Sequence, residues 1–281
     1  MNLRFAAAIF ALALMASALF AAEATFNQTL QVNGPAALNV STGAGYIHIT
    51  PGPDGSIHIT GHIHASSSLF SGSAEQRAKQ VAENPPITQN GNSIEVGQNT
   101  HYSNIAIDYV ITAPRGTAVQ ATSGAGEINV TNLYAPLSAR VDAGNIYANE
   151  LTGNIALTAG SGNITAMMDG ARQIKISTGN GNLHLTNVSG ELYAETATGD
   201  VQVQGRPNAN WKLAVDSGSV TIDLGAQARF SLDALTGHGS IQSTLPIVPR
   251  GPSDPQHTIG DVNGGGPTIH IQTGSGNVRI E

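Results

Sequence analysis

The chain contains no cysteine in 281 residues, so neither a disulfide nor a thiolate metal site can form, and stability must come from packing and hydrogen bonds alone. Charge is also scarce: Asp, Glu, Lys and Arg make up 11% of the residues, against roughly 25% in an ordinary soluble domain. Only 12 of these are Lys or Arg, and the net charge is −7. That balance argues against a nucleic-acid partner, whose phosphates need a dense basic surface, and against electrostatic docking on anionic lipid. Aromatic residues amount to 5%, with Trp211 the single tryptophan. Beyond the first two dozen residues, no stretch approaches the roughly 18 consecutive apolar residues that a spanning helix needs. What the chain does have is glycine, 33 residues of it, together with Thr, Ser, Asn and Gln as its main polar groups.

The N-terminus reads as a signal peptide, residues 1–24. Arg4 supplies a positive charge, Phe5 to Leu14 form an unbroken apolar run, and Ala22-Glu23-Ala24 offers an A-x-A cleavage pattern. The apolar run is too short to span a bilayer, and with no cysteine near the cleavage region a lipid-anchored lipoprotein is excluded. The expected location is therefore outside the cytoplasm: periplasm, cell surface or medium.

A short phrase then recurs: "TGAGYIHI", "SGAGEINV", "GSGNITA", "TGNGNLHL", "TGHGSIQS", "TGSGNVRI". Its second glycine falls at Gly126, Gly144, Gly162, Gly181, Gly199, Gly218 and Gly239, with spacings of 18, 18, 19, 18, 19 and 21. The last copy, Gly276, comes 37 residues later, which reads as two periods containing a Pro-rich insertion over 246–267. Self-similarity at a fixed short period is the signature of a solenoid. The glycine is followed by Asn145, Asn163, Asn182, Asp200, Ser219, Ser240 or Asn277, and then by an alternating strand such as Val201-Gln202-Val203. A second break, such as Val188-Ser189-Gly190-Glu191, and a second alternating strand complete the period.

Two short strands and two turns per 18–19 residues predict an all-β fold, a parallel β-helix or β-solenoid. Each strand pairs in parallel with its equivalent in the next coil, and no coil buries its apolar face without neighbours. The crossover rule for parallel strands predicts right-handed winding. The glycine is then a corner residue that supplies positive φ, and the Asn after it tolerates left-handed geometry and is placed to form an amide ladder between coils. A phosphate loop does not fit, because a strand rather than a helix follows each glycine phrase and no lysine accompanies it. A calcium β-roll needs a nine-residue repeat with Asp where this chain has Asn or Ser.

Residues 25–121 keep the grammar less strictly and are expected to cap the first coil, in one continuous domain with the regular repeats of 122–281. Within them Ser73–Asn84 reads as a short helix. Ser73 and Gln76 have capping-box spacing, Ala74, Ala78, Val81 and Ala82 share a face, and Pro85-Pro86 stops it. The segments "IDYVITAPRGTAVQATSGAGEINV" and "GGGPTIHIQTGSGNVRIE" resemble the bacterial putative-adhesin family, a β-solenoid group of unknown function. The similarity extends over nearly all of the chain after the signal peptide. It implies an exported or envelope-associated protein without enzymatic activity, and it carries over no catalytic or ligand residue.

In "YIHITPGPDGSIHITGHIH", a hairpin at Pro51–Gly55 would set His48 opposite His58 on the polar face, making them the candidate metal ligands; His62 and His64 share that face. No third convergent ligand is evident, so solvent-facing strand histidines are the favoured reading. Asp200 and Asp216 lie at corners of neighbouring coils, as a glycosidase pair would require, but they stand in turn positions, and the basic residues that a lyase needs are scattered. No G-x-S-x-G elbow accompanies a Ser-His-Asp set. Trp211, in "GRPNANWKL", is read as core or edge packing in preference to a sugar platform. No catalytic residue and no cofactor are expected. The reading is an exported surface-binding module for glycan or cell-envelope polymers. The alternatives are a structural envelope protein assembling end to end, through the final strand "NVRIE", and a polysaccharide-active enzyme.

Overall fold

The computed structural model describes residues 22–66, 73–97, 104–252 and 254–281; the signal-peptide run Phe5–Leu14 lies outside the described residues. The chain opens with β1 (Ala22–Gln31), β2 (Ala37–Ala44), β3 (Ile47–Pro51) and β4 (Ser56–Ala65), then α1 (Ala74–Glu83), β5 (Ile87–Asn90), β6 (Ser93–Val96) and β7 (Ile105–Ala113). Strands then come in pairs, one pair per coil: β8 (Ala118–Ala125) with β9 (Ile128–Thr131), β10 (Leu137–Ala143) with β11 (Ile146–Leu151), β12 (Asn154–Ser161) with β13 (Ile164–Met168). The series continues with β14 (Gln173–Asn180) and β15 (Leu183–Val188), β16 (Glu191–Thr198) and β17 (Val201–Gly205), β18 (Trp211–Ser217) and β19 (Val220–Asp223), β20 (Phe230–His238) and β21 (Ile241–Ser243). After β22 (Ile247–Pro249) and β23 (His257–Val262) the last coil is β24 (Thr268–Ser275) with β25 (Val278–Ile280).

The longer strand of each coil joins a 13-stranded sheet and the shorter one a 12-stranded sheet, so the fold is a two-sheet parallel β-solenoid. Strict alternation along each strand fills the space between the sheets. One inward row runs Ile128, Ile146, Ile164, Leu183, Val201, Val220, Val278, each in register with the next and none more than 1% exposed. Burying such a side chain is worth about 1.5–3 kcal/mol, and every interior member is covered by the coil on either side.

The corners show why glycine recurs. Gly162 has φ 140° and Gly181 φ 153°, a region L-residues rarely adopt. Close stacking adds a second constraint: a Cβ on Gly181 would lie 2.1 Å from the carbonyl oxygen of Gly162 in the coil before it. The same approach recurs down the row, including Gly126, Gly144, Gly199, Gly218, Gly239 and Gly276. The Asn that follows does not form an amide-to-amide ladder. Its side-chain oxygen instead accepts from the backbone N–H one coil on: Asn145 from Asn163 at 2.9 Å, Asn163 from Asn182 at 2.8 Å, Asn182 from Asp200 at 2.8 Å. An acceptor oxygen is all that is required, and Asp200 serves Ser219 equally well at 2.8 Å. Asn277 accepts from Ser240 in the same way. Inward Thr178, Thr196, Thr236 and Thr273 complete the corner by donating to glycine carbonyls, which satisfies hydroxyls otherwise costly to bury.

The ends depart from the sequence reading. The copy at Gly276 is not two periods beyond Gly239. The last coil turns back, with β24 pairing between β18 and β20 and β25 between β19 and β21. The final strand "NVRIE" is therefore paired on both sides and is no open edge. The first coil is placed in the same way, β2 between β8 and β6 and β3 between β9 and β7. The 246–267 segment, read as a loop, holds β22 and β23, the latter antiparallel to both β22 and β20. At the N-terminal end α1 plugs the core with Ala74, Ala78 and Val81; Ser73 Oγ caps it by accepting from Gln76 N at 3.1 Å.

Candidate ligand-binding face

The expected hairpin at Pro51–Gly55 does not form. Strand β7 lies between β3 and β4, placing His48 beside Val110 and His58 beside Thr112. His58 Nδ1 instead meets Thr29 Oγ1 at 2.8 Å, and His64 Nε2 meets the Asp108 carboxylate at 3.0 Å with Glu23 at 3.6 Å from its other nitrogen. Among the described residues, no three His, Asp or Glu side chains stand together in metal-holding geometry. Asp200 is occupied as a corner acceptor. Trp211 opens β18, is 1% exposed and donates Nε1–H to Gly190 O at 2.9 Å, so it is core and not a sugar platform.

Chemistry-bearing side chains gather instead on the outer face of the 13-stranded sheet. Because Ile174, Leu192 and Trp211 point inward, Lys175, Tyr193 and Lys212 point out, and the parallel register sets them side by side. Lys175 Nζ lies 5.8 Å and Lys212 Nζ 5.7 Å from the Tyr193 ring centroid, within cation–π range. The phenol donates to Glu195 at 2.7 Å. That hydrogen bond, then partial burial, then the Glu195 charge hold the Tyr193 phenol above its ordinary value. Glu191, on the other side of Tyr193, accepts from Gln173 at 3.4 Å. Both carboxylates thus have neutral donors, and neither lysine forms a salt bridge with any described residue.

From this point a trough of about 630 Å³ runs across the strands toward β2. Its floor includes Ala118, Pro136, Ser138 and Ala156, small enough to leave a channel, and Lys175, Glu191 and Tyr193 close one end. With strands about 4.8 Å apart, the passage from β2 to β16 is about 24 Å long. Spacing alone had left the basic residues scattered; the strand register aligns two of them.

In the other direction the same row continues from Lys212 to His270 and Asp233. Asp233 accepts from His257 Nε2 at 2.9 Å and meets His270 Nδ1 at 3.0 Å, joining the antiparallel β23 to the last coil. Burial raises the Asp233 carboxyl, but the two histidine contacts outweigh it and leave it below its ordinary value. The sequence reading missed this cluster, since its members lie 24 and 37 positions from Asp233 and only the turned-back terminal coil brings them together.

Residues 61–281 match the family described as Toastrack DUF4097. The chain belongs to this family. The resemblance to putative adhesins of unknown function, read from the glycine phrases, agrees with that assignment. The Toastrack chain is also similar to solved structures of a putative adhesin from Bacteroides fragilis (12% identity, covering 92% of this chain and 97% of that one, TM-score 0.48) and a putative adhesin from Parabacteroides merdae (11%, 92% and 96%, TM-score 0.29). A third is a putative cell adhesion protein from Clostridium sporogenes (12%, 92% and 98%, TM-score 0.27). No curated protein matches the sequence. No described helix of this Toastrack protein is long and apolar enough to cross a membrane.

Proposed function

We propose that this Toastrack protein is an exported, non-enzymatic binding module whose 13-stranded sheet face contacts glycan or cell-envelope polymers. The trough beside Tyr193 carries the reading. It is long, open and floored by small side chains, while its rim offers Gln120, Asn154, Gln173 and Glu191 as donors and acceptors. An extended polymer gains from many modest hydrogen bonds along such a channel, each worth about 0.5–1.5 kcal/mol net. Export rests on Arg4, the Phe5–Leu14 run and the A-x-A pattern. Cleavage after Ala24 leaves Thr25–Gln31 of β1 paired with Ser56–His62 of β4.

Binding of the secreted chain to envelope polysaccharide, measured by pull-down, tests the reading. Ala156→Trp fills the trough from a half-exposed position without entering the core, and it is expected to abolish capture. Capture unchanged by that substitution would remove the trough from the account.

Assembly through solenoid ends has one observation in its favour: β1, of which Thr25–Gln31 remain after cleavage, is an edge strand that pairs on one side only among the described residues. The opposite end is blunted by the three-residue strands β21 and β22 and by Pro249. Concentration-dependent light scattering, lost on Asn27→Pro within the mature edge strand, is the outcome expected of that reading.

A further inference from the structure

We infer that the ligand of the trough is an acidic polysaccharide, a linear chain of uronate-type sugars whose carboxylates are taken by Lys175 and Lys212. The inference rests on the glycan-binding reading above and names the class of glycan. Its first support is charge. In a chain of net charge −7, with 12 Lys and Arg in all, two lysines stand in one cross-strand row with a single residue between them. An exposed ammonium is ordinarily drawn to a neighbouring carboxylate. Here the two nearest along β16, Glu191 and Glu195, are held by Gln173 and by the Tyr193 phenol. Both ammonium groups rest on the Tyr193 ring and keep their hydrogen-bond donors for another partner.

The second support is order. A free lysine loses rotamer entropy when it grips a ligand. Contact with a ring whose hydroxyl is itself tethered to Glu195 reduces that loss, because both ammoniums are already gathered about one point. The third is the shape of the channel that ends there. Its floor is largely apolar, lined by Ala118, Pro136 and Ala156, of which Pro136 is exposed and the two alanines are part-buried. A polymer built of rings covers such a floor with C–H faces and arrives partly ordered. A flexible polyol-phosphate backbone has no ring to lay on it and loses more freedom on binding. Two exposed ammonium groups without a salt bridge at one end and an apolar floor along the rest together favour an acidic sugar chain.

Calorimetric titration of the mature protein with oligogalacturonate, a neutral glucan of equal length and poly(glycerol phosphate) tests this. Oligogalacturonate is expected to bind most tightly, with affinity falling as salt rises. Lys175→Gln with Lys212→Gln should weaken it about tenfold or more, while Lys79→Gln on the remote helix α1 leaves it unchanged. Both site lysines are exposed, so the melting temperature of the double variant serves to verify its fold. Neutral glucan bound as tightly as oligogalacturonate, a double variant that still binds at full strength, or a preference for the phosphate polymer would each overturn the inference while leaving glycan binding standing. Failure to bind any of the three, or any envelope polysaccharide, would remove both.

Discussion

At a corner of this protein one missing atom decides whether two coils can stack. A Cβ on Gly181 would lie 2.1 Å from the oxygen of Gly162, and the φ of 153° is itself unfavourable for an L-residue. Gly181→Ala should therefore cost at least the about 1–3 kcal/mol of a disallowed backbone geometry, lowering the melting temperature by several degrees. Gly116→Ala, where nothing lies within 4 Å of the added carbon, should stay within about 0.5 kcal/mol of wild type. The residue after the glycine makes a finer test. Asn163→Ala orphans the N–H of Asn182 and should cost about 1 kcal/mol, whereas Asn163→Asp keeps the acceptor and should cost much less, as Asp200 does in its own coil. Glu195→Gln should move the Tyr193 phenol titration downward, toward its ordinary value, read by NMR of that ring.

At the scale of elements, the antiparallel strand β23 is tied to the solenoid by side chains as well as backbone. Asp233 joins His257 to His270, and Arg250 on the strand's flank meets Asp261 at 3.1 Å. Since the folded Asp233 carboxyl lies below its ordinary value of 3.8, its contribution is present above that pH and is lost as the pH falls through the folded value. Asp233→Asn should therefore flatten the acid limb of stability below about pH 3.8 and speed hydrogen exchange in β23, with little change in β12 or β14. The group is more than a third exposed, so the effect is modest. A larger loss is expected from Ile271→Asp: that side chain is 0% exposed, in register between Leu213 and Ala234, so the charge strikes three coils together.

For the whole molecule, the arrangement of the ends matters more than the number of coils. Solenoid stability is a sum of neighbour contacts, and a terminal coil with one neighbour is the first to open. Here both the first and last coils have neighbours on both sides, and the outermost positions are taken by strands bound covalently at each end or by antiparallel additions. The amides of β24 should consequently exchange about as slowly as those of β14, although β24 lies only a few residues from the C-terminus. Fast exchange of β24 ahead of β20 would contradict that order.

The amino-acid sequence by itself determined the coil. Alternation of period two, glycine every 18–19 residues and an acceptor after each glycine are local requirements that repeat, so they are legible without knowing what lies beside them. The helix was legible for the same reason, since Ser73 and Gln76 act within its first turn and Pro85 lies just past its last. Which coil lies next to which is a different kind of fact. The phrase at Gly276 fits equally well after Gly239 or between Gly218 and Gly239, and only the packing of whole coils chose the second. That choice closed the edge expected at "NVRIE" and assembled Asp233, His257 and His270. Sequence position told which side chains face out, while the register across strands decided which of them meet. Lys175, Tyr193 and Lys212 are 18 and 19 residues apart along the chain and become neighbours only in the folded sheet.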